Sequence, residues 1–263
     1  MRNQRTPWPL GVPALVGALL LVVPLLGLLV RAPWSRLPDL LGTSEVLDAL
    51  VLSLVTTTSA TVISLVLGVP LAWVLARSTA RGIRLLRSLV TLPLVLPPVV
   101  GGVALLLAFG RYGIVGQWLD DAFGVTISFT TTAVVLAETF VSMPFLVVAV
   151  EGALRTADVG YDEAAATLGA GRWLVFRRVT LPLIRPSVVA GAVLCWARAL
   201  GEFGATITFA GSLQGTTRTM PSAVYLALQT DVDSAIALSL VLLLVSVTVL
   251  FTLRGRLVGA VSQ

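Results

Sequence analysis

The sequence predicts an all-α membrane protein with six transmembrane helices and a helical loop on one membrane face. Three observations predict it. Apolar residues make up 57% of 263, only 12% are charged, and mean hydropathy is +0.98. The apolar residues gather in stretches of about 20 or more, enough at ~1.5 Å per residue to cross a ~30 Å hydrocarbon core. The arginines sort into alternate connections. A soluble domain of this size has no place to hide so much apolar surface, so lipid is the solvent for most of the chain.

The predicted spans are, in order, Leu10 to Val30, Ala49 to Ala76, Ser88 to Phe109, Thr131 to Val150, Pro182 to Ala210 and Ser234 to Leu253. Arg2 and Arg5 precede the first, as in a signal peptide. Its apolar run is too long for a signal core and no small-residue cleavage site follows, so it is read as a retained span. The second carries Thr56-Thr57-Thr58-Ser59, hydroxyls that commonly bond their own helix backbone. In the third, Pro93, Pro97, Pro98, Gly101 and Gly102 predict a kink or break. Freed backbone groups are tolerated in a membrane only where protein or water covers them, which places this span in the bundle interior. The fifth is thin and lightly polar at Gly201, Gly204, Ala205, Thr206 and Thr208. Ten residues follow Leu253, so no appended regulatory domain is expected.

Orientation follows from arginine placement. Arg2 and Arg5, then Arg77, Arg81, Arg84 and Arg87, then Arg155, Arg172, Arg177, Arg178 and Arg185, and finally Arg254 and Arg256 fall on one side. Only Arg31, Arg36, Arg111 and Arg218 fall on the other, where Asp39, Glu45, Asp48, Asp120, Asp121, Asp231 and Asp233 outnumber them. Both termini and the connection 151–181 are therefore expected in the cytoplasm, within one membrane domain covering 1–263.

Composition also excludes functions. All 18 basic residues are arginine, histidine is absent and Cys195 is the one cysteine. An internal disulfide or a cysteine-rich metal cluster is impossible. The phosphate-binding motif G-x-x-x-x-G-K-[ST] needs a lysine, so any ATP-driven work must come from a partner. The arginines form no single basic face, which argues against nucleic acid despite a pI near 10.6.

The connection after the fourth span has its own local logic. Asp158 is placed to cap a short helix, and Asp162 and Glu163 favour its positive N-terminal end. Ala164, Ala165 and Ala166 are strong helix formers with little bulk, suited to seating in a groove on another protein. Gly169 suits the left-handed residue that ends a helix. Arg172 to Thr180 predicts a second helix, with Trp173, Phe176 and Val179 as its apolar edge, Arg177 and Arg178 in water, and Pro182 as its stop.

The spacing Glu163-Ala164-Ala165, then Gly169, then Val179-Thr180-Leu181-Pro182 resembles the cytoplasmic coupling loop of ABC importer permeases. Thr91 to Gly102 (TLPLVLPPVVGG), Ala197 to Thr206 (ARALGEFGAT), and Thr219-Met220-Pro221 with Ala223-Val224-Tyr225 resemble segments of the molybdate and sulfate importers. Together they cover most of Thr91 to Leu253, and the likeness looks closest to molybdate permeases. The resemblance implies the type I ABC importer permease fold in a bacterial or archaeal inner membrane. It implies that Asp162, Glu163, Ala164, Ala165, Gly169 and Arg172 couple to an ATPase. Implied partners are a second copy of this chain, two ATP-binding cassette subunits that hold ATP and magnesium, and an extracytoplasmic oxyanion-binding protein. No cofactor is expected in this chain.

Charges inside the spans are costly and face protein or water, which singles out Glu138, Arg198 and Glu202. Arg198 and Glu202 are spaced to meet on one helix face. Either Arg198 lends positive potential to an anion path, or the two carboxylates neutralise it and hold the bundle. Arg198, Glu202, Gly204, Thr206 and Thr208 are the candidate path and gate residues, with helix packing as the alternative for each. A sulfate, thiosulfate or tungstate permease is the near alternative. A secondary transporter or channel is disfavoured by the lack of an inverted repeat and of an acid/histidine relay. An intramembrane enzyme is disfavoured because the common metal and nucleophile constellations are missing.

Overall fold

The computed structural model describes residues 8–158 and 160–261, and all regular structure among them is helical. Arg2 and Arg5 lie outside the described residues, as do the side chains of Arg254 and Arg256. The helices are α1 (Trp8–Val30), α2 (Leu37–Leu41), α3 (Ser44–Arg77), α4 (Ile83–Thr91), α5 (Pro98–Phe109), α6 (Gly116–Phe123) and α7 (Thr131–Thr156). They continue with α8 (Gly160–Thr167), α9 (Arg172–Val175), α10 (Leu181–Leu200), α11 (Gly204–Phe209), α12 (Met220–Ala227) and α13 (Val232–Val261). Among the described residues five helical stretches are long and apolar enough to cross a membrane, and a bent pair makes a sixth.

The centre of the bundle is α7. It lies between α3 and α10, and it is the most buried of the spans. Small side chains allow that close approach. On α3 the buried stripe runs Ala49, Ser53, Thr56, Ala60, Ser64, Gly68, Ala72 at helical spacing. A side chain on Gly68 would meet Leu146 and Val147 at 3.3 Å, and one on Gly191 of α10 would meet Leu146 at 3.0 Å. Small residues at helix crossings are the usual way membrane helices gain contact where lipid supplies no hydrophobic drive. At the other extreme α1 carries Leu10 to Val30 largely exposed, an apolar surface on nearly every side.

Some hydroxyls of the spans are satisfied within their own helix. Ser59 donates to Val55 O at 2.7 Å and Thr61 to Thr57 O at 2.8 Å. Within the threonine run, Ser59 and Thr56 (to Ser53 O at 3.3 Å) make the expected backbone bonds, Thr56 also donates to Glu138 Oε1 at 3.0 Å, and the Thr57 hydroxyl has no partner among the described residues. Asp231 precedes α13 and accepts from Ser234 Oγ at 2.6 Å and Asp233 N at 3.1 Å. The Ser234 hydroxyl thereby holds the Asp231 carboxyl below its usual range.

Two expected spans are not single helices. In the third, α4 continues through a tight turn Leu92–Leu94, and α5 then departs at 117°. Pro97 is extended and Pro98 opens α5, so neither ring obstructs a helix interior. The predicted fifth span, Pro182 to Ala210, ends instead at Leu200; residues 201–203 are irregular and α11 begins at Gly204. Here no proline marks the break.

The predicted stop at Pro182 is also corrected. Helix continues from Arg172 through Leu200 by way of a π turn at Phe176–Thr180. Leu181 N bonds Phe176 O, five residues back. That wider turn relieves the clash a proline ring makes with the carbonyl four residues earlier, and it absorbs the missing N–H at Pro182. The excursion from the bundle is therefore shorter than 151–181: it leaves α7 after Thr156 and rejoins helix at Arg172.

Candidate functional site: the loop helix and the broken spans

Helix α8 is built as its sequence implies. Asp158 Oδ1 accepts from the N–H of Gly160 at 2.8 Å, which satisfies one free donor at the helix start. At the other end Gly169 has φ +85°, Ala170 N bonds Ala165 O at 3.1 Å and Gly169 N bonds Ala166 O at 3.0 Å. This pair of bonds is a Schellman closure, and it requires a left-handed residue at Gly169.

The helix presents most of its surface outward. Glu163, Ala164, Ala166, Thr167 and Leu168 are exposed, Leu168 at 88%, and no residue of α8 is buried. Asp162 is the exception in direction. Its Oδ2 lies 3.2 Å from Arg77 Nη2, and its Oδ1 accepts from Thr180 Oγ1 at 2.9 Å. Arg172 is exposed beside a cavity of about 400 Å³ lined also by Trp73, Arg77, Asp162 and Phe176. Trp173, 72% exposed, stacks on Phe176 at 5.7 Å, while Arg177 and Arg178 are exposed as expected. Arg77 and Thr180 carry no site signal in the sequence beyond position, at the last turn of α3 and the entry to α10.

The same end of the bundle holds a second charged knot. Glu151 on α7 accepts from Arg87 Nε at 2.8 Å and from Arg155 Nε at 3.0 Å. Arg87 Nη2 also donates to Leu75 O at 2.9 Å, closing the last turn of α3.

In the middle of the bundle, Arg198 pairs with Glu202 at 2.5 Å, and Glu202 is 1% exposed. The other carboxylate oxygen accepts from Ala205 N at 2.8 Å, at the first turn of α11. The structure thus brings Arg198 and Glu202 together and gives Glu202 a second duty as the cap of the following helix. Glu138 does not join that ion pair; it is held by Thr56. Gly204 and Thr208 face the other broken span. A side chain on Gly204 would meet Pro98 Cβ at 2.8 Å, and Thr208 abuts Gly102. Thr208 Oγ1 donates to Gly204 O at 2.8 Å. Thr206 is buried, and its hydroxyl, like those of Thr57, Ser64 and Thr219, has no partner among the described residues.

The half-helices that follow the two breaks, α5 and α11, therefore pack on each other at glycine contacts. A bundle of apolar helices with two interrupted spans and an exposed small-residue helix at one end has the architecture of a membrane permease. Residues 64–260 match the family described as "Binding-protein-dependent transport system inner membrane component", and the chain belongs to that family.

Relatives narrow the likeness. The molybdenum transport system permease protein ModB of Mycobacterium tuberculosis is 53% identical over 244 residues, covering 93% of this chain and 92% of that protein. ModB of Escherichia coli is 44% identical over 216 residues, covering 82% and 94%. The sulfate transport system permease protein CysT of E. coli is 35% identical over 249 residues, covering 93% and 90%. Among solved structures, a bacterial ABC transporter that imports alginate superposes with TM-score 0.77 at 16% identity, over 95% of this chain and 93% of that one. The MetNI methionine ABC transporter superposes with TM-score 0.63 at 19% identity, over 84% and 100%. At such identities these two speak for the fold, which is that of the type I importer permeases. The chain is the membrane-spanning permease subunit of an ABC importer, a multi-pass inner-membrane transport component and not an enzyme.

Proposed function

We propose that this permease imports molybdate, as one of two identical membrane subunits standing on two ATP-binding cassette subunits. Those subunits bind ATP and magnesium, and this chain holds no cofactor. An extracytoplasmic oxyanion-binding protein delivers the anion, and both termini lie in the cytoplasm, on the arginine-rich side. Two ModB proteins at 53% and 44% identity, against 35% for the sulfate permease CysT, support molybdate over sulfate.

The observation that carries the coupling role is α8. Its exposed Glu163, Ala164 and Ala166, closed by Gly169, leave a low-profile helix free to seat in a groove of the ATPase. ATP binding then moves α8, and α8 moves the spans. Ala165 and Arg172 line the same contact.

The broken spans form the path. Arg198 is matched by Glu202, so it offers the anion no bare charge; a free guanidinium deep in the membrane would trap an oxyanion by paired hydrogen bonds. The unpartnered Thr206 hydroxyl is a weaker donor from which the anion leaves readily. Gly204 and Thr208 set how α11 rests on α5 and so act in gating.

Uptake competition in cells carrying the whole importer tests the substrate. Molybdate and tungstate should displace labelled molybdate, and a large excess of sulfate should not. Equal displacement by sulfate would contradict the assignment.

A further inference from the structure

We propose that Asp162 is a positioning residue: it ties the coupling helix to the second and fifth spans and does not meet the ATPase. This rests on the coupling role of α8 and deepens it.

The carboxylate uses both oxygens toward its own chain. Oδ2 faces Arg77 at 3.2 Å, and Oδ1 accepts from Thr180 at 2.9 Å. Arg77 ends α3, and Thr180 ends the π turn that leads into α10. A carboxylate is an acceptor with two oxygens, so one side chain can hold donors from two spans at once. Neighbouring Glu163 is exposed and has no ion-pair partner among the described residues, which leaves it for the partner subunit.

Other attachment of the helix is slight. No residue of α8 is buried. Among the described residues, every side-chain hydrogen bond from α8 to the bundle involves Asp162. Behind the helix lies the cavity of about 400 Å³, lined by Ala166, Arg172, Val175 and Phe176 as well as by the tie. Where apolar contact is thin, a paired carboxylate transmits displacement in direction as well as register. The tie reaches α3 and α10, which flank α7, so movement of α8 pulls on both at their inner ends.

The test is a charge exchange in membranes carrying the whole importer: Asp162→Arg, Arg77→Asp, and both together. Labelled molybdate uptake and copurification of the ATPase subunit are read in parallel. Each single variant should lower uptake by about tenfold, the scale of a typical coupling energy, with the ATPase still bound. The double variant should recover uptake to within about threefold of the parent, as a coupled pair requires. Normal uptake in the single variants overturns the proposal, and so does a double variant that does not recover. Should the reversals fail to insert, Asp162→Asn serves. Spin labels at Ala80→Cys and Thr167→Cys, in a Cys195→Ser background, should then show a broadened distance distribution; an unchanged one overturns the tie. Failure of the coupling role itself has a different signature: Glu163→Arg would leave ATPase binding intact whatever the exchange does.

Discussion

A side chain on Gly102 would lie 2.7 Å from Thr208 Cβ and 2.8 Å from the carbonyl oxygen of Ala205. Two half-helices from different broken spans thus meet backbone to backbone, with no room for a methyl group. Gly102→Val must push α11 from α5 at a cost of about 1–3 kcal/mol, the usual range for overpacking. The predicted outcome is loss of uptake with ordinary insertion in the membrane. Gly204→Val, which would strike Pro98, should behave alike. Uptake per inserted complex is the measurement.

Arg198 and Glu202 should tolerate joint neutralisation better than separate loss. Arg198→Gln with Glu202→Gln removes both charges and keeps an oxygen for the N–H of Ala205. Uptake should persist in that double variant. Arg198→Gln alone leaves the buried Glu202 carboxylate uncompensated, at a cost below the ~3–5 kcal/mol of a fully buried pair because Arg198 is 27% exposed, and should depress complex yield. Lost uptake in a normally assembled double variant would favour a direct path role for Arg198.

The sequence made much of this legible, for local reasons. The start and stop of α8 depend on Asp158 and Gly169, which act within a few residues, and both were readable. The break in the third span was readable because proline lacks an N–H. The break after Leu200 was not, because it depends on Glu202 turning to cap α11 and to pair with Arg198. Pro182 misled for a similar reason: a π turn upstream accommodates it. The contact of Asp162 with Arg77, 85 residues apart, is set by how the spans pack, and spacing along the chain carries no trace of it. Along the sequence Gly102 looks like a helix breaker and Gly204 like a small residue; their contacts with each other's helices emerge only in the fold.

Gly169 tests the shape of α8. At φ +85° any side chain is strained, by about 1–2 kcal/mol. Gly169→Asp and Gly169→Val should fray the Schellman closure and weaken ATPase binding in membranes, with valine the worse. Undiminished tight binding in both would count against the seating of α8.

Glu151 should matter for stability more than for transport chemistry. Glu151→Ala strands Arg87 and Arg155 and loosens the cap on Leu75. Loss of a partly buried charged hydrogen bond costs about 1–3 kcal/mol. Thermal unfolding of the detergent-purified complex should fall by several degrees, while Glu151→Gln, which keeps an acceptor, should fall less.

On the proposed function, the ATPase grips the exposed face of α8 on the cytoplasmic side. Cross-linking from Glu163→Cys, in a Cys195→Ser background within membranes holding the whole importer, tests it most directly. The predicted result is an adduct with the ATPase subunit, protected from membrane-impermeant thiol reagents added outside intact cells. A cysteine labelled from outside, or one that never reaches the ATPase, would contradict it.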